Sequence, residues 1–376
     1  MKLNYKICIV VPVLGYQNSI LFVFSELKKL GCNVVVITST SGGFKQKSKN
    51  ISFETIDGID IHRVADDTSS KAFLTEIIKI KSILDSFKPN IVLFGTWNLF
   101  RIASKLSKTY NSKLIWLTEF YFNNKRFIGG RKYYLGLKIL LNPLAYIMRF
   151  FLTKNVDKII LSDISEKNLI LEKNKKLTSI GWCNNLPNKF DVDPCGLNEK
   201  LNQGIFAGSF TSITINEKFV KAISFLLNNK LLDKIVIVGD GPKKYIIENL
   251  IEKFGKDKIE YLGQIERLEV LDLIKKSKIA LNTTHEGGWG FIGECFAVGT
   301  LLLYTRNHYL FNHNYDSFHL NFTLSDRDDL NDILSNEELY HKLQENMICR
   351  YNNEHSAKSI GSKYFDLIKT TLLENE

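Results

Sequence analysis

The sequence lacks the features that define several large classes of protein. Its six cysteines are scattered, with no C-x-x-C pair and no zinc-type spacing, so it predicts neither a disulfide framework nor a zinc site and is typical of a reducing compartment. Residues 135–152 form an apolar run that is interrupted by Lys138, Asn142, Pro143 and Arg149, whereas a bilayer-spanning helix needs about 20 apolar residues. The N-terminal segment has no small-residue cleavage site, which favours a first β-strand over a signal peptide and predicts a cytoplasmic protein.

Two motifs that would define a cofactor or a metal are also missing. The turn GDGP at residues 239–242 follows a strand pattern, but Lys244 replaces the third glycine of G-x-G-x-x-G, which argues against a Rossmann dehydrogenase. The triplet DRD at residues 326–328 looks like a metal-binding D-x-D. Its position at the start of a helix pattern instead favours a capping box, with Ser325 as N-cap and Asp328 as N3. We therefore expect no metal site.

The chain is basic, with a formal net charge of +10, which favours an anionic partner such as a nucleotide, a phospholipid or a nucleic acid. The segment from Lys105 to Lys138 has eight basic residues with interleaved aromatics and a single acid, Glu119. Residues 105–150 are therefore a candidate for a surface that lies on an anionic membrane, at its cytoplasmic face. The alternative is a helix that covers the N-terminal sheet with its lysines in solvent. No nucleic-acid fold signature accompanies the charge, so we expect no nucleic-acid partner.

Strand and helix patterns alternate along the chain. Residues 6–13 form a near-continuous apolar run, typical of a strand buried on both faces, and a helix pattern that stops at Gly31 connects it to the next strand. The spacing predicts a right-handed parallel crossover, and its repetition predicts doubly wound α/β domains. A segment with Pro187 and Pro194 is the best linker candidate. We predict an N-terminal domain, a linker, a C-terminal domain and a final helix placed to pack back on the first domain, at residues 1–185, 186–203, 204–350 and 351–376.

The most informative stretch is the glycine-rich segment within residues 282–307. Glu286 and Glu294 have seven residues between them, four of which are glycine, on a predicted strand-to-helix turn. Bare backbone N–H groups at such a turn, together with the positive end of the helix dipole, bind phosphate. An ionised carboxylate accepts hydrogen bonds from neighbouring hydroxyls. The pattern therefore indicates a nucleotide sugar. The alternative is that Glu294 merely suits a helix N-terminus and that Glu286 is a solvated loop acid.

This stretch resembles the donor site of the retaining GT-B glycosyltransferases of family 4, in which two glutamates with seven residues between them precede a small helix and a glycine. Here these residues are Glu286, Glu294 and Gly299. The chain departs from the family pattern at Trp289, where glycine is usual, and at Leu301, where proline is usual. The resemblance implies the GT-B fold, which is an α/β architecture of two Rossmann-like doubly wound domains that face a cleft, with C-terminal helices closing the fold. It covers the second domain closely and the first in outline.

The resemblance also implies roles for individual residues in donor binding. Glu286 would hold the hydroxyls of the donor sugar, and Glu294 would bind the ribose of the nucleotide. Backbone amides at Gly290, Phe291 and Ile292 would bind the diphosphate. No side chain is identifiable as a nucleophile, so the acceptor would attack from the same face as the leaving group, and the phosphate itself would take the proton.

The family's diphosphate clamp, an arginine followed by a lysine, is incomplete in this chain. Ser209 stands where the arginine is usual, and Lys218 is the only well-placed basic residue downstream. We expect Lys218 to stabilise the departing diphosphate, and the alternative is a lysine on the surface of a helix. In the second domain, the candidates for residues that border the nucleotide are Gly208, Ser209, Gly239 and Asp240. In the first domain, the candidates on the acceptor side are Gly15 and Glu119.

Together these features predict a cytoplasmic retaining glycosyltransferase with no cofactor and no metal, for which the nucleotide-diphosphate sugar is a co-substrate. It would transfer a sugar to a hydroxyl of a glycan or of a lipid-linked acceptor in cell-surface polysaccharide biosynthesis. Three alternatives stay open. They are a nucleotide-sugar epimerase, an inverting glycosyltransferase of the same fold, and a non-enzymatic basic module that binds nucleic acid.

Overall fold

The computed structural model describes residues 5–13, 19–41, 51–118, 151, 154–161, 177–180, 193–283, 289–305 and 317–374. The chain divides into two compact units, which we call unit 1 (residues 1–183 and 357–376) and unit 2 (residues 184–356). Each unit is built around its own sheet, with hydrophobic cores on both faces of that sheet. None of the described helices is long and apolar enough to cross a membrane.

A mostly parallel sheet of eight strands forms the centre of the described part of unit 1. Its strands are β1 (Lys6–Val10), β2 (Asn33–Ser39), β3 (Phe53–Ile56), β4 (Ile59–Ala65), β5 (Ile91–Phe94), β6 (Lys113–Thr118), β7 (Lys158–Leu161) and β8 (Leu177–Ser179). They lie in the order β3-β4-β2-β1-β5-β6-β7-β8, and only the β3–β4 pair is antiparallel. Asp57 and Gly58 join this pair with positive φ angles of 50° and 72°, because a two-residue hairpin turn must match the twist of its strands.

Helices pack on both faces of the sheet of unit 1. They are α1 (Ser19–Lys29), α2 (Ser70–Thr75), α3 (Ile77–Phe87) and α4 (Phe100–Tyr110). The first packs on one face, through Phe24 and Leu27, and the other three pack on the opposite face. The residues from Ser70 to Phe87 form two helices rather than one. Glu76 has a ψ of 13°, outside the helical range, so the hydrogen-bond ladder is interrupted between α2 and α3.

The described part of unit 2 has a parallel sheet of six strands. These are β9 (Leu201–Ala207), β10 (Lys234–Val238), β11 (Ile259–Gly263), β12 (Ser277–Asn282), β13 (Leu301–Tyr304) and β14 (Phe318–His319), in the order β11-β10-β9-β12-β13-β14. Its helices are α5 (Glu217–Asn228), α6 (Lys244–Phe254), α7 (Arg267–Lys276), α8 (Trp289–Val298), α9 (Leu324–Ser335) and α10 (Glu337–Arg350). The central strands are buried on both faces, which explains their continuous apolar runs.

The N-terminus of α9 corrects the predicted capping box. The N-cap is Thr323, whose hydroxyl accepts the N–H of Asp326 at 3.1 Å, and the carboxylate of Asp326 accepts the N–H of Thr323 at 2.9 Å. Ser325 and Asp328 lie inside the helix, so the predicted cap was two residues too far along the chain. A threonine and an aspartate three residues apart satisfy the same reciprocal geometry. The triplet DRD is therefore part of a helix start.

The last helix, α11 (Ala357–Leu373), belongs to unit 1 and packs on α1. Its buried residues Tyr364 and Ile368 lie in the same core as Phe24 of α1. The two helices approach closely at Gly361, where an added Cβ would lie 2.5 Å from the Cβ of Glu26. A larger residue at this position would push the helices apart.

Candidate functional site

The strand order of unit 2 reverses between β9 and β12. The chain runs outward from β9 through β10 to β11, and then returns to β12 on the other side of β9. Ligands of open α/β sheets bind outside the carboxyl ends of the strands at such a reversal. The loop after β9 begins at Gly208 and leads to α5, while Thr283 follows β12 at the same edge. We call this edge of unit 2 the reversal site.

Asn216 connects the two sides of the reversal site. Its Nδ2 donates a hydrogen bond to the carbonyl of Thr283 at 3.2 Å. Its Oδ1 accepts the N–H groups of Lys218 and Phe219 at 2.9 and 3.2 Å. The first amides of α5 are thus satisfied by a cap rather than open to an anion. Asn216 is not among the predicted site residues, although an asparagine ahead of a helix pattern is an N-cap signal.

Lys218 lies at the carboxyl edge of the same sheet, and its charge is engaged by the protein itself. Its half-buried side chain reaches the end of β13, where Nζ donates to the carbonyl of Thr305 at 2.7 Å. A lysine ammonium has three donors, so this contact occupies one of them. The contact ties α5 to β13. Stabilisation of a diphosphate by Lys218 stays a prediction.

The loops after β9 and β10 are joined through glycines. The N–H of Gly208 donates to the carbonyl of Val238 at 3.1 Å, and the N–H of Phe210 donates to the carbonyl of Asp240 at 2.9 Å. An added Cβ at Gly239 would lie 1.9 Å from the carbonyl oxygen of Gly208, and the φ of Gly239 is +128°. Glycine is therefore required at 239 by the close approach of two backbone segments. The structure brings Gly208 and Gly239 together as neighbours.

The side chains of Ser209 and Asp240 lie exposed on these two loops. One carboxylate oxygen of Asp240, Oδ1, accepts the N–H of Gly241 at 2.7 Å, which holds the side chain against its own turn. The carbonyl of Ser209 accepts the N–H of Thr211 at 3.0 Å. Both side chains are accessible, and their contact with a nucleotide stays a prediction.

Helix α8 begins after β12, with Gly290 in its first turn. Gly290 is exposed, and an added Cβ there would meet no atom of the described residues within 4 Å. Ile292 is buried in the core beneath the helix, and the ring of Phe291 lies 6.3 Å from that of Phe206. The first N–H groups of any helix have no partner within it and carry the positive end of the dipole. The start of α8 is therefore accessible at Gly290, while Phe291 and Ile292 pack the helix against the core.

Glu294 lies one helical turn after Gly290 and is paired with Arg267. Both Nε and Nη2 of Arg267 donate to Oε1 of Glu294, at 3.1 and 2.9 Å. The carboxylate side chain is only 13% exposed and the arginine 27%. Burial raises the pKa of Glu294, and the positive charge and hydrogen bonds of Arg267 oppose that rise. The arginine thus favours the ionised form of a largely buried acid.

Arg267 is a second residue of the site that sequence reasoning missed. It opens α7, while Glu294 lies on α8, 27 positions along the chain. A helix pattern in the sequence identifies neither residue as the partner of the other. In the described ranges of the chain, no group of three or more histidine, cysteine, aspartate or glutamate side chains could hold a metal ion. The absence of a metal requirement stays a prediction.

Several predicted residues lie outside the part of the chain that the structure describes. They are Glu286, Gly15 and Glu119, together with most of the basic and aromatic segment at residues 105–150. Of the predicted donor-site residues, the described ones all lie in unit 2, at the loops after β9 and β10 and on α5 and α8.

No family model and no curated protein matches the sequence. Solved structures do match. Sucrose-phosphate synthase from Thermosynechococcus elongatus has a TM-score of 0.68 at 12% identity, covering 98% of this chain and 99% of that one. A glycosyltransferase from Rickettsia africae has a TM-score of 0.68 at 18% identity, with 100% of both chains covered. Anabaena HepE in complex with UDP has a TM-score of 0.65 at 10% identity, covering 97% and 100%.

The likeness extends over essentially the whole of each chain and defines the fold class. The chain has the GT-B fold of these glycosyltransferases, so the predicted fold class is confirmed. At identities below 20% the likeness concerns the fold, and one fold hosts several activities. Membership of family 4 and retaining chemistry stay predictions.

Proposed function

We propose that the protein is a glycosyltransferase that moves a sugar from a nucleoside-diphosphate sugar to a hydroxyl acceptor. The observation that carries this proposal is the position of Glu294 on α8, beside the strand reversal and four residues after the exposed Gly290. Residues four apart lie on the same face of a helix. A helix start that attracts phosphate and a carboxylate that accepts hydroxyls are therefore presented together. A nucleoside diphosphate has both groups.

The nucleotide that we propose to test first is UDP. HepE was solved with UDP and with UDP-glucose, and an alpha-glucosyltransferase with the same fold was solved with UDP. That alpha-glucosyltransferase has a TM-score of 0.58 at 14% identity, covering 96% of this chain. We extend this choice to the present chain as a hypothesis about its donor.

In the proposed complex the amides of the first turn of α8, at Gly290, Phe291 and Ile292, bind the diphosphate, and Glu294 accepts a hydrogen bond from a ribose hydroxyl. Lys218 adds positive charge with the donors that its contact with Thr305 leaves over. Groups aimed at the charge that develops on the leaving diphosphate account for rate factors of about 100 or more each. Glu286 is proposed to hold the hydroxyls of the donor sugar.

The loops after β9 and β10 are proposed to border the nucleotide. Gly208 and Gly239 bring these loops into contact, and the exposed side chains of Ser209 and Asp240 lie on them. Their place at the carboxyl edge of the sheet supports this assignment, because ligands of doubly wound sheets bind there. On the acceptor side we keep Gly15 and Glu119 as candidates.

The finer steps of the reaction are proposed from the family resemblance. The acceptor is a hydroxyl of a glycan or of a lipid-linked glycan, the anomeric configuration is retained, and the leaving phosphate takes the acceptor's proton. TarM, a matching structure at 12% identity with a TM-score of 0.53, was solved with fondaparinux, alpha-GlcNAc-glycerol and UDP. An acceptor in cell-surface polysaccharide synthesis would suit a protein at the cytoplasmic face of a membrane.

Membrane attachment through residues 105–150 has a direct test. The protein is mixed with vesicles of anionic phospholipid and with neutral vesicles at low salt, and then sedimented. Attachment through basic residues requires binding to the anionic vesicles and its loss in salt, because surface charge is screened over about 10 Å at 0.1 M. Equal behaviour with both vesicles would reject the membrane proposal.

The first test of the proposed function is nucleotide binding, which is measured before turnover. Thermal unfolding is measured with UDP, ADP and GDP and with their glucose conjugates, because a ligand at 100 times its Kd stabilises the folded state by about 2.7 kcal/mol. A rise in Tm with one nucleotide diphosphate is expected. No response to any of the six ligands would overturn the proposal.

Product analysis separates the enzymatic alternatives. Sugar transfer that requires an acceptor and yields the donor's anomeric configuration, seen by NMR, supports a retaining transferase. The opposite configuration indicates an inverting enzyme, and a changed sugar without acceptor indicates an epimerase. One matching alpha-glucosyltransferase was solved with UDP-glucose and DNA, so a random DNA duplex is included, and salt-sensitive binding to it would favour the basic module.

A further inference from the structure

We infer that Arg267 is a positioning residue for nucleotide binding, which holds one carboxylate oxygen of Glu294 and leaves the other to accept a hydroxyl of the ligand's ribose. This inference rests on the proposed function. It assigns a task to a residue outside the family pattern, on a different helix from the glycine-rich segment.

The geometry of the pair leaves one carboxylate oxygen available. Two hydrogen bonds from Arg267 end on Oε1 of Glu294, at 3.1 and 2.9 Å. Among the described residues, no hydrogen bond ends on Oε2 of Glu294. An ionised carboxylate has about four acceptor positions on its two oxygens. Oε2 is thus the oxygen that can receive a hydroxyl, while Oε1 is held by the protein.

The position of this oxygen is set by the packing of two helices. Leu271 and Ile274 of α7 and Cys295 and Phe296 of α8 lie in one hydrophobic core. The arginine and the glutamate project from helices that share this core, so their separation does not depend on a loop. A binding group that is held on packed elements loses little freedom when the ligand arrives.

The charge of the pair gives the inference its distinctive consequence. Burial raises the pKa of Glu294, and Arg267 is the group that opposes the rise. Without the arginine, the carboxyl remains buried and becomes protonated at a higher pH. A protonated carboxyl forms weaker, uncharged hydrogen bonds with a hydroxyl. Loss of Arg267 should therefore make recognition of the ribose depend on pH.

A structural alternative assigns the pair only to holding α7 against α8. In that case Arg267→Met would lower stability but would not change how ribose hydroxyls are recognised. The measurement that separates the two is the ratio of the Kd of 2′,3′-dideoxy-UDP to the Kd of UDP. Titration of the phosphates affects both ligands alike, so the ratio reports the ribose hydroxyls.

The ratio is measured by calorimetry at about pH 6 and pH 8.5 on the full chain. In the wild type we expect about 10- to 100-fold at both pH values, the range for a hydrogen bond to a charged group. In Arg267→Met we expect a lower ratio than in the wild type, and a lower ratio at pH 6 than at pH 8.5, because burial then raises the pKa of the Glu294 carboxyl unopposed. Arg267→Lys keeps a positive charge and should restore most of the ratio at pH 6.

Two further variants complete the test. Glu294→Gln should have a low ratio at both pH values, and adding Arg267→Met to it should change the ratio by less than about 2-fold, because the arginine acts through the glutamate. Arg327→Met is the matched control, since Arg327 pairs with Asp328 at 2.7 Å on the exposed surface of α9. Its ratio should equal that of the wild type.

A wild-type ratio near 1, or an Arg267→Met ratio that matches the wild type at both pH values, would overturn the inference while leaving UDP binding intact. Failure of the wild type to bind UDP, ADP or GDP would instead overturn the proposed function. If Arg267→Met does not fold, Arg267→Lys and Arg267→Gln carry the same comparison. An unaltered ratio in Arg267→Gln at pH 6 would then reject the assignment.

Discussion

Lys200 is a buried lysine that should make the stability of unit 2 depend on alkaline pH. It lies just before β9 and is 5% exposed. Its Nζ donates to the carbonyls of Lys275 and Ser277 at 2.6 and 3.2 Å, and to the hydroxyl of Thr300 at 3.1 Å. These contacts are at the end of α7 and just after α8, the two helices that carry the Arg267–Glu294 pair. A cation at a helix C-terminus is favoured by the dipole.

The magnitude follows from the pKa of Lys200. Burial lowers it from 10.5 to about 8, and each unit of pKa corresponds to about 1.4 kcal/mol. Below about pH 8 the lysine is protonated in both the folded and the unfolded states. Between pH 8 and 10.5 the unfolded state holds more protons, so the contribution of Lys200 to stability rises with pH. From pH 7 to pH 9.5 the expected rise is about 2 kcal/mol.

The assay compares Lys200→Met with the wild type, because other buried groups act in the opposite direction. Burial raises the pKa of the thiols of Cys8 and Cys295 and of the Tyr340 phenol, so their contributions are lost as pH rises through this range. Urea unfolding is followed by circular dichroism at pH 7 and 9.5. The fit allows two transitions, since the chain has two compact units. The free energy of unfolding of the wild type minus that of Lys200→Met should be about 2 kcal/mol larger at pH 9.5 than at pH 7.

Lys221→Met is the matched control for this prediction. Lys221 is on the surface of α5, with a side chain 58% exposed, and pairs with Glu217 at 2.7 Å. Its removal should give the same stability difference at both pH values, to within about 0.5 kcal/mol. If the Lys200→Met difference is equally independent of pH, the assignment of a depressed pKa to the buried lysine is refuted.

Three further predictions concern the reversal site. Gly239→Ala should lower stability by about 2 kcal/mol or more and weaken UDP binding, because its Cβ would lie 1.9 Å from the carbonyl oxygen of Gly208. Gly290→Ala, whose Cβ would meet no atom of the described residues within 4 Å, should leave the Tm nearly unchanged, and equal losses of Tm in the two variants would contradict this prediction. Lys218→Met should weaken UDP binding about 10-fold or more but UMP binding much less, and calorimetry showing equal losses would reject the diphosphate contact. Sugar transfer should persist in EDTA, and loss of turnover that added Mg²⁺ restores would refute metal independence.

The element pattern of unit 2 was predictable because burial acts locally along the chain. Strands buried on both faces, such as Lys234–Val238 and Leu301–Tyr304, have continuous apolar runs. Turns that need glycine carry it, as at Gly239. Predicted details were wrong where a nearby residue has a side chain of the same chemistry. At α9 the cap is Thr323 rather than Ser325, since either hydroxyl residue suits an N-cap.

The candidate site was predictable only in part. The glycine-rich segment led to Gly290 and Glu294, and the structure places both on one helix at the strand reversal. The partners of the charged residues could not be predicted from the sequence. Lys218 donates to a carbonyl 87 positions away, and Glu294 accepts from Arg267, 27 positions away. No local pattern specifies such a pair.

The sequence by itself determined which segments alternate as strand and helix and which stretch of glycines and acids could meet a phosphate and a sugar. These properties depend on backbone preference and on the burial of near neighbours. Only the tertiary structure decided that Asn216 donates to the carbonyl of Thr283, that Thr305 holds Lys218 and that Arg267 holds Glu294. Such contacts join distant parts of the chain, so they exist only once the strands have taken their order in the sheet.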